Sequence, residues 1–229
     1  MQRPLVIALI ACLLTSDALA DVSGYVQITS DYVRRGVSQS DADPALQLGV
    51  DLGFENGLIA GAWGSSVDNR SQAGQQHDIE LNAYAGYGRD VGQRWRLTGF
   101  VVAYSYPGME TPFDYDYVEY LVSANYDDRY WLEYAYAADY YGTGDGAWNA
   151  EALGEWPLHG AWSLSGGVGH LDLSDVVGSG YTYWQLGISG NVGIAGLDLR
   201  FHDTDRLVPF FSSTKTAKAR IVLTLTIPF

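Results

Sequence analysis

The last ten residues, Arg220-Ile-Val-Leu-Thr-Leu-Thr-Ile-Pro-Phe229, indicate the fold more directly than any other stretch of the chain. As a β-strand, they would place five apolar side chains on one face: Ile221, Leu223, Leu225, Ile227 and Phe229. About ten residues are enough for a tilted strand to cross a bilayer. The same alternation also suits an edge strand of a soluble β-sandwich. The rest of the chain has to decide between these two folds.

Residues 1–20 have the three parts of a secretory signal peptide. Arg3 supplies a short positive region, Leu5–Leu14 form an apolar core, and Ala18–Ala20 form a small-x-small cleavage site. The apolar run is too short to span a membrane as a helix. We therefore predict that this segment is removed and that residues 21–229 form one domain.

The single cysteine lies inside this predicted signal peptide. Leu9–Cys12 resembles a lipobox, but cleavage before Cys12 would leave an apolar core shorter than signal peptides normally have. After cleavage at Ala20 the mature chain has no cysteine. Disulfides, thiol chemistry and cysteine-bound metals are then excluded.

The composition favours a membrane β-barrel over a soluble or helical membrane protein. Only 17% of the residues are charged, against about 25% in ordinary soluble proteins. Glycine and tyrosine are abundant, with 27 and 17 copies, and the mean hydropathy of −0.06 is too low for a bundle of membrane helices. With a net charge of −14 and only two lysines, Lys215 and Lys218, the chain has no basic cluster for nucleic acid.

Period-2 alternation predicts about twelve strands along the chain. Their expected ranges are 22–33, 45–54, 58–67, 77–88, 94–105, 114–126, 129–140, 147–156, 161–172, 180–190, 194–203 and 217–229. Tight turns and longer loops alternate between them, which is typical of outer-membrane barrels and unexpected for a Greek-key sandwich. We therefore predict an all-β, transmembrane, antiparallel up-and-down barrel.

The two faces of the predicted strands differ in polarity. A charge on the lipid face near mid-bilayer costs about 2–4 kcal/mol for Arg or Lys, so charges of one parity should face the lumen. The expected lumen-lining residues are Asp78, Glu80, Arg94, Arg96, Glu119, Glu133, Glu151, Glu155, Asp198, Arg200, His202 and Arg220. His170 is the exception, because it shares the parity of apolar neighbours; either it lies at a rim or a bulge shifts the register.

Aromatic residues gather at both ends of the predicted strands, where they would form two interfacial girdles. Near the tight turns these are Tyr87, Trp95, Tyr126, Tyr130, Trp131, Trp156 and Trp162. Near the long loops they are Tyr104, Tyr106, Tyr115, Tyr117, Tyr140, Tyr141, Trp148, Tyr181, Tyr183 and Trp184.

Residues 30–67 resemble the start of a known family. The matching features are Ser30-Asp31-Tyr32, Arg35-Gly36-Val37-Ser38-Gln39, Pro44-Ala45, and Gly57 through Trp63 to Ser65. This segment is similar to a proteobacterial family of conserved hypothetical outer-membrane proteins, catalogued as Gcw_chp and also labelled the TorF family of candidate porins. The resemblance implies an outer-membrane barrel and a pore of unspecified substrate. Phe229 likewise resembles the terminal aromatic that the barrel assembly machinery reads as an assembly signal.

Asp31, Arg34, Arg35 and Gln39 cluster where the first strand meets the first long loop. If this loop folds into the lumen, the arginines could set a constriction that selects anionic or zwitterionic solutes. The alternative is a rim salt bridge that anchors the loop. Twelve strands lie between the small barrels that side chains plug and the large ones that hold an aqueous channel, so both a narrow pore and a plugged lumen stay open.

Other classes of function have weaker support. A lipid-modifying barrel enzyme would need a serine beside His170, but Ser163 and Ser165 have the opposite parity. The D-x-D pairs of the loops lack the spacing of a full cation site. A structural or adhesive barrel without an open pore is suggested by Phe210-Phe211 beside Pro209.

We therefore predict a narrow porin for passive diffusion of small hydrophilic solutes, located in the bacterial outer membrane and without catalytic activity or cofactor. Its expected partners are membrane lipid, lipopolysaccharide, the assembly machinery and the solutes themselves.

Overall fold

The computed structural model describes residues 20–70, 76–108, 115–206 and 215–229. The predicted signal peptide up to residue 19 and the segment Pro209 to Phe211 lie outside these ranges.

Fourteen β-strands lie within the described residues. They are β1 Ala20–Thr29, β2 Val33–Arg34, β3 Val37–Ser38, β4 Ala45–Phe54, β5 Leu58–Arg70, β6 Gln76–Val91, β7 Trp95–Ser105, β8 Tyr117–Tyr126, β9 Tyr130–Ala137, β10 Ala147–Pro157, β11 Trp162–Asp172, β12 Tyr181–Val192, β13 Ala195–Thr204 and β14 Arg220–Pro228. Two helical segments, Tyr140–Gly142 and Ser174–Val177, lie in loops. No helix in the described ranges is long and apolar enough to span a membrane.

Twelve of these strands close into one antiparallel barrel, which confirms the predicted fold class. Each barrel strand pairs with its neighbour in sequence, and β14 returns to β1 from Thr224 opposite Thr29 to Pro228 opposite Tyr25. β2 and β3 do not join the barrel and pair only with each other. Closure leaves the barrel without an unpaired edge, as a sheet in lipid requires.

Several strand boundaries differ from the prediction, among them those of β1, β5 and β6. β1 ends at Thr29 rather than residue 33, because the chain then leaves the wall and folds into the lumen. β5 extends to Arg70 and β6 begins at Gln76, so both strands reach into the loop predicted at 68–76. A register shift between Ser66 and Asn69 accompanies this extension.

The outer face of the barrel is a continuous apolar surface. Exposed apolar side chains recur at alternate positions of the wall strands, including Val26, Ile28, Leu46, Leu48, Ile79, Leu81, Val101, Val122, Leu132, Val168, Leu186, Ile188 and Leu199. In β14, Ile221 and Leu223 are 69% and 53% exposed, as the alternation of the last ten residues predicts. Strand side chains point alternately to the two faces, so the polar positions between these residues face the lumen.

Short and long connections lie at opposite ends of the barrel. The short-turn rim holds the connections after β4, β6, β8, β10 and β12, and the long-loop rim holds the others. At the short-turn rim, most members of the predicted girdle are exposed on the outer face: Tyr87, Trp95, Tyr130, Trp156 and Trp162. Trp131 is an exception, because it shares the inward parity of Glu133.

The predicted girdle at the long-loop rim is largely wrong. Most of its tyrosines are buried inside the barrel: Tyr106, Tyr117, Tyr140, Tyr181 and Tyr183 are all 5% exposed or less. Tyr117, Tyr181 and Tyr183 lie in strands at positions of inward parity, whereas Tyr106 and Tyr140 lie in loops. Trp184 is exposed on the outer face. Trp148 packs beside Tyr134, another exposed outer residue, with ring centroids 6.0 Å apart.

His170 lies at the long-loop rim on the outer face. The pairing of β11 with β10 and with β12 is continuous, so no bulge shifts its register. Its ring packs 5.6 Å from that of Trp148, and its Nδ1 lies 3.1 Å from the Thr182 hydroxyl. Its place two residues before the end of β11 explains why a polar ring is tolerated there.

Candidate functional site

The first long loop folds into the barrel as a short hairpin. This lumen hairpin, residues 33–38, consists of β2, the turn Arg35-Gly36 and β3. Both turn residues have positive φ, 49° for Arg35 and 77° for Gly36. A two-residue turn of this kind needs positive φ at both central positions, which is why a glycine follows the arginines.

The tip of the lumen hairpin rests against the wall at β12 and β13. A Cβ atom on Gly36 would lie 2.6 Å from the Cβ of Tyr183 on β12 and 2.6 Å from the Cγ2 of Thr204 on β13. Only a residue without a side chain allows this approach. The turn of the hairpin therefore packs against β12 and β13, which lie near β1 around the barrel.

Both hairpin arginines converge on one carboxylate of the wall. Arg34 Nη2 lies 3.2 Å from Oε2 of Glu119, and Arg35 Nη2 lies 2.8 Å from its Oε1. Glu119 is 2% exposed, so this is a buried cluster of one anion and two cations. A buried charge requires pairing of this kind.

Tyrosine side chains complete the shell around Arg34. Its Nη1 donates to the Tyr117 hydroxyl at 2.7 Å, and its Nη2 donates to the Tyr104 hydroxyl at 2.9 Å. The guanidinium also lies 4.4 Å from the centroid of the Tyr104 ring, a cation–π contact. Tyr104 in turn donates to Glu119.

The base of the hairpin is anchored by a second buried carboxylate, that of Asp31. Its Oδ1 accepts hydrogen bonds from the Ser38 hydroxyl at 2.6 Å and the Ser40 hydroxyl at 3.0 Å. Its Oδ2 pairs with Arg220 at the start of β14. Arg220 also donates to the backbone carbonyls of Lys215 and Thr216, tying the first loop to the last one.

The four predicted constriction residues therefore divide into two groups. Arg34 and Arg35 lie at the hairpin tip, whereas Asp31 lies at its base. Gln39 is also at the base, where its backbone N–H donates to the Tyr32 carbonyl at 2.6 Å and its amide donates to the Val37 carbonyl at 3.0 Å. Asp31 and Gln39 hold the base of the first loop, and the two arginines lie on Glu119 inside the lumen.

A tyrosine cluster fills the lumen above the arginines. Its members are Tyr104, Tyr106, Tyr115, Tyr117, Tyr140, Tyr141, Tyr181 and Tyr183, and Val37 of the hairpin packs among them. Tyr104 stacks on Tyr117 with ring centroids 4.5 Å apart. Burial raises the pKa of the Tyr141 hydroxyl, which therefore stays protonated and uncharged at neutral pH.

A cavity of about 260 Å³ lies against the hairpin tip. Hairpin residues from Val33 to Gly36 form one side of it. The wall contributes Tyr104, Glu119, Leu121, Glu133, Glu151, Tyr183, Gln185 and His202. The sequence analysis predicted the acidic members and His202 as lumen-lining residues. It missed Tyr183 and Gln185, which have the same inward parity, because it considered only charged side chains and histidine.

Side chains of the wall fix the carboxylate of Glu151 at this cavity. Its Oε1 accepts from the Gln185 amide at 2.9 Å, and its Oε2 accepts from the Tyr183 hydroxyl at 3.2 Å. Arg200 donates to Gln185 and to Ser165, and it pairs with Asp198 at 2.7 Å. Glu133 lies directly opposite Glu151 on the neighbouring strand.

The remaining predicted lumen residues lie toward the two rims. Glu80 is fully buried beside Asn82, whereas Asp78 is exposed near the long-loop end of β6. Glu155 lies near the short-turn end of β10, on the inward parity opposite Ser165. Arg96 pairs with Asp90 at 2.9 Å in an exposed position near the short-turn end of β7.

Arg94 is a correction to the predicted lumen set. It precedes β7 in the tight turn after β6, and its side chain is 64% exposed. Its Nη1 donates to the hydroxyl of Tyr126, which pairs with the outward Trp95. Arg94 belongs to the rim because a turn residue does not follow the alternation of the strand.

The arrangement does not assemble the residues of the considered lipid hydrolase. Ser165 accepts a hydrogen bond from Arg200 on the lumen side, while His170 is on the outer face. Ser163 shares the parity of Ser165. In the described part of the chain, no group of three His, Cys, Asp or Glu side chains could hold a metal ion.

Twelve antiparallel strands with an apolar outer face, a polar inner face and an inserted first loop define a barrel of the outer-membrane porin type. The solved structure of the KdgM porin superimposes with a TM-score of 0.55 at 8% identity, over 91% of this chain and 99% of that chain. The structure of the KdgM porin in complex with disordered oligogalacturonate superimposes with a TM-score of 0.54 at 9% identity, over 91% of this chain and 99% of that chain. At such low identity these similarities establish the fold only.

The chain belongs to the Gcw_chp family, described as bacterial proteins of unknown function, whose model matches residues 15–229. This confirms the family resemblance drawn from residues 30–67. None of the curated proteins matches this chain.

Proposed function

We propose that this protein is a narrow channel of the bacterial outer membrane for passive diffusion of small hydrophilic solutes. The observation that carries the proposal is the lumen hairpin, which brings Arg34 and Arg35 onto Glu119 inside a porin-type barrel. Loops folded into the lumen with charged side chains are how such pores set size and charge selection. The hairpin is accordingly the constriction of this channel.

The proposed location follows from the barrel and from the signal peptide predicted at residues 1–20. The short-turn rim would face the periplasm and the long-loop rim the exterior, as in other outer-membrane barrels. Lipid and lipopolysaccharide would contact the apolar outer face, and the assembly machinery would insert the barrel, reading Phe229.

Planar-bilayer recording of the refolded protein tests the proposal. The wild-type channel should conduct in discrete steps, and the double variant Arg34→Ala/Arg35→Ala should conduct more and shift its reversal potential toward cation selectivity. Arg96→Ala is the matched control, because it removes a cation that lies near the short-turn end, outside the hairpin. Equal changes in the two variants would contradict a constriction at the hairpin.

A second candidate is a structural barrel without an open pore. The tyrosine cluster favours it, because these rings and the hairpin together occupy the lumen near the long-loop rim. The test is the conductance of folded, heat-modifiable protein in the bilayer. If neither the wild type nor the variant without the hairpin arginines conducts, the structural barrel is supported over the channel.

A further inference from the structure

The cavity against the hairpin tip holds opposite charges that do not pair with each other. Arg35 lines one side of it and Glu133 another, yet no ion pair within 4.0 Å joins them. Arg35 is 9% exposed, and its Nη1 has no hydrogen-bond partner among the described residues. Glu133 is partly buried at the cavity, and its carboxylate accepts no hydrogen bond from any described side chain.

The other charges around the cavity are already engaged. Glu119 receives both hairpin arginines, and Glu151 accepts from Tyr183 and Gln185. Among the charged side chains that line the cavity, Arg35 has an unpartnered Nη1 and Glu133 has a carboxylate without a hydrogen bond from a described side chain. A solute that bonds to both groups gains charge-assisted hydrogen bonds and therefore binding free energy.

We infer that this cavity is a binding site for a small zwitterion, with its anionic group at Arg35 and its ammonium group at Glu133. The inference deepens the proposed channel function by naming the class of solute. A pure anion would face the carboxylates of Glu133 and Glu151, and a pure cation would leave Arg35 unsatisfied. A molecule with both charges complements both sides of the cavity.

The size of the cavity limits the solute. Its volume of about 260 Å³ is below the range of roughly 300–1,000 Å³ that holds drug-sized ligands. Free α-amino acids and short betaines fit this limit, whereas oligosaccharides do not.

Saturation-transfer NMR on the refolded full-length barrel in detergent tests the site, with glycine as the probe. Acetate and methylammonium are the matched controls, since each carries only one of the two charges of glycine. We expect saturable transfer to glycine and much weaker transfer to either control. Equal transfer to all three molecules would overturn the inference.

Three variants locate the bound glycine. Glu133→Gln and Arg35→Gln should each weaken glycine binding by about tenfold or more, because each removes a charge-assisted hydrogen bond. Glu155→Gln should leave it unchanged, since Glu155 faces the lumen but does not line the cavity. If Arg35→Gln fails to fold, Glu133→Gln alone tests the site, because no described side chain donates a hydrogen bond to the Glu133 carboxylate.

Parallel conductance recording separates the two proposals. A conducting channel that does not bind glycine overturns the zwitterion site and leaves the channel in place. Saturable glycine binding without conductance overturns the channel and leaves the site in place. Unchanged binding in Glu133→Gln overturns the assignment of the ammonium group.

Discussion

The ring of Phe229 lies over Gly24 at the point where the last strand returns to the first. The two residues exchange backbone hydrogen bonds of 2.8 and 3.0 Å. A Cβ atom on Gly24 would come within 2.7 Å of two carbons of the ring. Gly24 therefore lets an aromatic residue cover the seam that closes the barrel.

This contact predicts that Gly24→Ala destabilises the barrel. The added methyl group would push the Phe229 ring away and approach the Gly49 carbonyl, and overpacking of this kind costs about 1–3 kcal/mol. Urea titration of the heat-modifiable folded band measures the change. Gly53→Ala is the control, because its Cβ would meet only one atom, at 3.9 Å. Equal shifts in both variants would mean that the seam contact has no special importance.

Replacing Phe229 should reduce assembly in the cell. Phe229→Gln removes the aromatic group that the assembly machinery is expected to read, while Phe229→Trp retains one. We expect less folded protein in the outer-membrane fraction for the first variant and near-normal amounts for the second. A wild-type level of folded Phe229→Gln protein would show that Phe229 is not the signal.

Removal of the Glu119 charge should release the lumen hairpin. In Glu119→Gln, two buried guanidinium groups lose their shared counter-charge, and breaking a buried ion pair in this way costs about 3–5 kcal/mol. Tryptophan fluorescence during urea unfolding measures the loss. Asp90→Asn breaks the exposed pair with Arg96 and should cost about 0–1 kcal/mol. If Glu119→Gln lowers the free energy of unfolding as little as Asp90→Asn does, the ion pairs with Glu119 are not what stabilises the hairpin.

Gly36→Ala should expel the hairpin tip from the lumen. Gly36 combines a φ of 77° with the close approach to Tyr183 and Thr204. Gly144→Ala is the matched control, since Gly144 has a φ of 83° and nothing within 4 Å of an added Cβ. Limited trypsin digestion should cut Gly36→Ala after Arg34 or Arg35 and leave the wild type and the control intact at these bonds. Protection in all three proteins would show that the tip tolerates a side chain.

The number of barrel strands and the orientation of most wall residues could be predicted from sequence. A strand in lipid must make its backbone hydrogen bonds within the sheet and keep charges off the outer face. The local alternation of polar and apolar residues therefore predicts that Glu80, Glu119 and Arg200 face the lumen. Parity also marks Tyr104 and Tyr117 as inward. The prediction of a second girdle gave more weight to the preference of aromatic residues for interfaces than to this parity, and it was wrong for these two residues.

The path of the first loop could not be predicted in the same way. Its glycine and arginines are visible at positions 34–36, but their partner Glu119 lies 85 positions from Arg34. Which wall strand a loop reaches depends on closure of the whole barrel and on the space left by distant side chains such as Tyr183. Local alternation carries no information on either.

The sequence by itself thus determined a twelve-stranded barrel with an apolar exterior and a charged interior, because lipid imposes that alternation on every strand separately. Only the tertiary structure decided that Arg34 and Arg35 share Glu119, that tyrosines fill the lumen, and that Arg35 and Glu133 line one cavity without pairing with each other. These features arise from contacts between segments far apart in the chain, which exist only after β14 has closed on β1.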